Sequence, residues 1–310
     1  VAQYSGNRVA QIVEIRQLYE RDLNLTSIRS IAEAPSIEDL AKRVSDLGID
    51  LYKVTAENQS TANKASLSST PTSLNRFGFL PEAPAILKDQ YSDIKNSEVF
   101  GLTVSRFDKC CDLERPAILL FSGAEPYTLI HEAVHAVLDR QMNESLGSQV
   151  MEVQADYKRL EKKFNFYSFK VLDSTDLLEK RHWREDLVSL ITEYTDASLV
   201  MFKYSMGEEI IAEHASTLLL KDANSPWATP EQLLEAKQYA TYQLSRISVR
   251  LGNISYLRSL LVDGTYTSNS AFDITPQERT DSLAKLKESE DKIRQALPKL
   301  EVYSTLVKQL

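Results

Sequence analysis

Along most of this chain apolar residues recur every three to four positions, the spacing of helices that bury one face. Residues 12–51 mix apolar and charged positions in this way. Within them Pro35-Ser36-Ile-Glu-Asp39 supplies a helix start, a proline followed by a serine cap with an acid three residues on. Residues 55–74 are poor in large apolar side chains and rich in Ser, Thr and Asn, which predicts the tail of a helix running into a loop or linker; Pro81 and Pro84 extend the irregular stretch. Two strand candidates, 99–107 and 117–121, are β-branched or aromatic-rich. Helical spacing returns at Pro126, which suits the first turn of a helix. After a turn at 143–147 it predicts helices over 148–164, 177–204 and 208–220. A break from Asn224 to Pro230 leads to a helix over 231–251, and a last one runs from Pro276 to the end. No internal repeat is visible. The expected fold class is mainly α with a small β-sheet. Three segments are expected: 1–75, helical with a Ser/Thr-rich linker; 76–222, a central core; and 223–310, helical.

Composition narrows the classes. At 310 residues and 43% hydrophobic content the chain can bury a sizeable core. Its net charge of −8, without a basic block, excludes the electrostatic footprint of a nucleic-acid binder. No apolar run approaches the roughly 20 residues of a membrane span. Cys110 and Cys111 are neighbours, and a bridge between neighbours is strained, so they form no ordinary disulfide framework. The sequence starts at Val1, which suggests removal of something upstream and a secreted or periplasmic protein.

The chemistry concentrates in Tyr127-Thr-Leu-Ile-His131-Glu132-Ala-Val-His135, where two of only four histidines stand four apart in an H-E-x-x-H frame. On a helix that spacing points both imidazoles the same way, one turn apart, so that both can bind one zinc ion; the glutamate beside the first can act as general base toward a water in the open position. A catalytic zinc needs a third protein ligand, and the extended pattern with a further histidine fails, because Leu138 and Gln141 occupy its positions. A downstream glutamate is left. Glu193 is favoured: with Asp196 it is the only charged residue between Leu187 and Phe202, on a segment apolar nearly all round, where a buried carboxylate would need a cation. Glu152, in Glu152-Val-Gln-Ala-Asp156, and Glu209 or Glu213, in Glu209-Ile-Ile-Ala-Glu213, remain open. Asp139 and Asp196 are candidate supports for a ligand, and His214 is one of several candidate oxyanion stabilisers.

The H-E-x-x-H helix with strands before it and acidic helices after it resembles the gluzincin-type zinc metallopeptidases over about residues 99–220. The His135-Ala-Val-Leu-Asp139 extension and the run around Glu193 are similar to bacterial proteins with H-E-x-x-H-A-L-x-D and a distal E-G-x-A segment; Tyr194 stands where those carry glycine. The resemblance implies a helical zincin-like core flanked by terminal helices, Zn2+ held by His131, His135 and a glutamate, Glu132 as general base, and a peptide or protein substrate. Strand 117–121 is expected at the cleft edge, pairing with extended substrate. Two rival readings are a helical binding or scaffold protein whose metal site is structural or vestigial, and a zinc amidase acting on a non-protein amide such as peptidoglycan.

Overall fold

A computed structural model describes residues 25–55, 76–90, 99–104, 113–121, 123–141, 144–266 and 276–310. The expected class holds: the chain is mainly α-helical with a small three-stranded sheet. In chain order the elements are α1 (Leu25–Ala32), α2 (Ile37–Asp46), β1 (Asp50–Lys53), α3 (Ala85–Gln90), β2 (Gly101–Val104), β3 (Ala117–Leu120), α4 (Pro126–Gln141), α5 (Glu144–Asp173) and α6 (Leu177–Met201). A π-helical turn (Phe202–Met206), α7 (Gly207–Asp222), α8 (Pro230–Tyr266) and α9 (Pro276–Gln309) complete the chain. No helix among the described residues is long and apolar enough to cross a membrane. Cys110, Cys111 and most of the linker at 55–74 lie outside the described residues.

The chain divides into two compact units. One comprises Val1–Gly147, Ala212–Gln238 and Leu310; the other comprises Ser148–Ile211 and Tyr239–Gln309.

In the first unit the sheet order is β1-β3-β2, with β1 parallel and β2 antiparallel to β3. Strand β3 is therefore central and buried along its whole length, not at an edge as expected; both of its backbone sides are already hydrogen-bonded, so it has nothing to offer a substrate strand. Alternation along a strand sends successive side chains to opposite faces. Ala117, Leu119 and Phe121 join Val54, Ala83, Leu87 and Val104 in one apolar cluster. Ile118 and Leu120, paired with Thr103 and Gly101 of β2, occupy the other face, and α4 packs against β2 and β3. Ser36 caps α2 as expected, its Oγ accepting the Asp39 N–H at 3.0 Å. Strand β1 was not expected from the sequence. It is four residues long and follows Gly48, whose φ of +72° turns the chain out of α2.

The second unit is helix against helix, with α9 packed along α6. Tyr194 is buried and stacked on Phe164, ring centroids 4.1 Å apart, which explains a large aromatic residue at the position where the resemblance has glycine. Helix α8 runs through Gly252 to Tyr266, well past the predicted end at 251. One glycine costs a helix only about 1 kcal/mol, and Ile254, Leu257 and Leu261 continue the buried stripe beyond it.

Candidate metal centre

Helix α4 begins at Pro126, and Thr128 reaches back to accept the Glu125 backbone N–H at 3.2 Å, closing the first turn. Leu129, Ile130, Ala133, Val134 and Val137 are buried and fix the helix against the sheet. That anchoring sets the direction of the polar stripe formed by Tyr127, His131 and His135, which follow one another at four-residue spacing. His131 is 9% exposed, and its Nε2 lies 3.1 Å from His135 Nε2, with the rings 73° apart.

Helix α7 supplies the carboxylates. Ligand atoms of His131, His135 and Glu209 all lie within 4.8 Å of one another. One turn further along the same helix, Glu213 is buried; its Oε2 lies 3.6 Å from His131 Nδ1 and accepts the Tyr127 hydroxyl at 2.6 Å. Thr217 Oγ1 is 3.4 Å from that hydroxyl. Burial first, and then the negative charge of Glu213, push the Tyr127 hydroxyl well above the usual phenol range, so it stays protonated and remains a donor.

The donor set fits a divalent ion. Two nitrogens each about 2.0–2.1 Å from a tetrahedral zinc lie roughly 3.3 Å apart, close to the 3.1 Å between the two Nε2 atoms. The two Nε2 atoms face each other, and His131 Nδ1 faces the Glu213 carboxylate at 3.6 Å, longer than a hydrogen bond. Two histidines and one carboxylate leave room for a fourth position.

Glu132 points to the sheet side of α4. The Thr103 hydroxyl lies 2.7 Å from its Oε2 and 2.9 Å from its backbone oxygen. Alternation puts Gly101 on the same face of β2 as Thr103. A Cβ at Gly101 would stand 2.7 Å from both Glu132 Cγ and Thr128 Cγ2, so glycine is what lets the edge strand approach the helix.

No protein-family model, curated protein or solved structure matches this chain.

Of the residues expected from the sequence, the structure brings His131 and His135 together with Glu209, one of the glutamates the sequence left open, while Glu132 faces Thr103. It does not bring in Glu193. That side chain is exposed on α6, as is Asp196, which pairs with Lys292 of α9 at 2.8 Å. The segment looked apolar all round, yet its buried residues, Leu187, Ile191, Tyr194 and Ala197, form one stripe, and Glu193 and Asp196 lie off it. The buried carboxylate that needs a partner is therefore Glu213 and not Glu193. Glu152 lies on α5 and Asp139 on α4, with side chains outside those described. His214 is buried beside Glu213 on α7. Tyr127, Thr103 and Gly101 went unnoticed in the sequence. Tyr127 had a signal, standing four residues before His131 on the same helix face; Thr103 and Gly101 had none, because their role depends on which side of the sheet α4 covers.

Proposed function

We propose that the chain is a zinc-dependent metallopeptidase in which His131, His135 and Glu209 hold the ion and Glu132 is the general base. The observation that carries this reading is the convergence of two Nε2 atoms, from the histidines of the H-E-x-x-H motif, and a carboxylate from a separate helix. Zinc bound there would supply Lewis acidity, lowering the pKa of a water toward about 7 and polarising the scissile carbonyl. Glu132 takes the proton of the attacking water and passes it to the leaving amine. The Glu213 carboxylate faces His131 Nδ1 at 3.6 Å and accepts the Tyr127 hydroxyl, which Thr217 Oγ1 approaches in turn. The substrate-pairing edge falls to β2, which among the described residues pairs with β3 on one side only and carries Thr103 against Glu132. An extended peptide added there would lie alongside the base.

A structural metal site is the second reading. The hydrogen bond from Thr103 favours it, because it engages the carboxylate that a hydrolase must keep available. Two measurements on the full chain separate the possibilities. Protein purified without added metal should carry one equivalent of zinc, lost in His135→Ala; a protein that takes up none on titration contradicts both readings. Glu132→Gln should retain zinc and lose hydrolysis of an unstructured protein such as casein. Hydrolysis that survives this change at the wild-type rate removes Glu132 as base.

A further inference from the structure

Helix α8 buries Ala240, Ile247, Leu251, Ile254, Leu257 and Leu261 along one side. On the opposite side Tyr242, Val249 and Tyr256 are 57%, 56% and 57% exposed and stand seven residues apart, the repeat of a helix-pairing seam. Three positions after each comes a small residue: Ser245, Gly252 and Ser259. Among the described residues, a side chain added at Gly252 would meet nothing within 4 Å beyond its own helix backbone. No exposed residue from Thr241 to Tyr256 carries a charge, although 26% of the chain is charged. A solvated helix face ordinarily carries charged residues, whereas charge depletion with tyrosine enrichment marks the centre of protein interfaces.

We propose that this face is a self-association surface, covered by the same face of a second copy running antiparallel. The order of large and small side chains selects both partner and direction. About a two-fold axis passing between Arg250 and Leu251, Tyr242 faces Ser259, Ser245 faces Tyr256, and Val249 faces Gly252. The symmetry repeats each contact, as an isologous interface requires. Every large side chain meets a small one, so the helices can approach closely. A parallel pairing in register would set tyrosine on tyrosine and glycine on glycine, leaving alternate clashes and gaps. The guanidinium of Arg246, 5.5 Å from the Tyr242 ring centroid, braces that ring at the margin of the face.

The area sets the strength. An aromatic side chain buries about 150–250 Å² in full, so two half-exposed tyrosines with Val249 and the small residues contribute a few hundred Å² per copy. That is below the roughly 800 Å² per partner of a standard interface, and the dimer is accordingly weak and concentration-dependent. The inference does not depend on metal binding or hydrolysis.

Sedimentation velocity on the full chain over roughly 1 μM to 1 mM tests it. The wild type should move from monomer toward dimer across this range. Gly252→Leu should weaken the dimer at least tenfold while keeping helical content and an unfolding midpoint no lower than wild type, since leucine is the better helix former. Tyr256→Lys should do the same by placing a charge in the seam. The exchange Val249→Gly with Gly252→Val preserves the proposed pairing and should restore association to within about threefold of wild type. A wild type that stays monomeric throughout assigns the face to some other partner and overturns the proposal. A folded Gly252→Leu that dimerises like wild type, or a folded exchange variant that stays monomeric, overturns it as well.

Discussion

In the second unit Asp196 and Glu288 meet Lys292, and Glu290 meets Arg258 and Arg294, all at partly exposed positions. In the first unit Glu213 is buried against a tyrosine hydroxyl and an imidazole. Asp196 and Glu213 both stand in segments that look apolar in sequence. The difference lies in what neutralises them. A surface pair in high dielectric contributes little, and either partner can return to water when the other is removed. A buried carboxylate cannot, so it must be held by donors of fixed geometry or by a cation. The first arrangement belongs to a solvated bundle, and the second is what a cation site needs around it.

Substitutions sharpen this contrast, and the largest effect is expected at Glu209. Glu209→Ala should weaken zinc binding more than about 100-fold, a larger loss than removal of a ligand's supporting partner causes, while Glu193→Ala should leave it within about twofold; competition with a chelating dye reads both. Equal losses would mean that the exposed helix face and the buried one had been assigned the wrong roles. Next comes Glu213→Gln, which keeps the shape of the side chain but removes the charge facing His131, and should cost about 10–100-fold in affinity. Tyr127→Phe strips a donor from a buried carboxylate and should cost about 1–3 kcal/mol in urea unfolding of the metal-free protein. A change near zero there would mean that water replaces the hydroxyl and that Glu213 is less enclosed than it looks. The smallest effect is expected in the second unit: Asp196→Ala should cost under about 1 kcal/mol, since that carboxylate is half exposed at 51%.

Much of this was legible in the sequence, and what was not has local causes. The H-E-x-x-H spacing placed His131 and His135, because four-residue spacing on a helix fixes a shared face whatever the fold. The mainly helical class followed from periodicity, and the Ser36 cap from its motif. Glu209 could be narrowed only to one of several candidates, since choosing among distant glutamates requires knowing which helix crosses α4. Glu193 misled because the segment from Leu187 to Phe202 is apolar by composition, while burial is decided by which stripe meets Phe164 and α9. Strand β1 is too short to show alternation, and the central place of β3 is a matter of pairing, not of its residues. The helix predicted over 231–251 ended too early, because the buried stripe of Ile254, Leu257 and Leu261 carries α8 past Gly252.

The central claim is that His131, His135 and Glu209 surround one divalent ion. Anomalous scattering on either side of the zinc edge, from crystals of the full chain grown with zinc, tests it directly. The account expects a single strong peak about 2.0–2.1 Å from both Nε2 atoms, with a Glu209 carboxylate oxygen completing the set. A peak elsewhere, or the two rings turned apart with zinc present in the crystal, would contradict it.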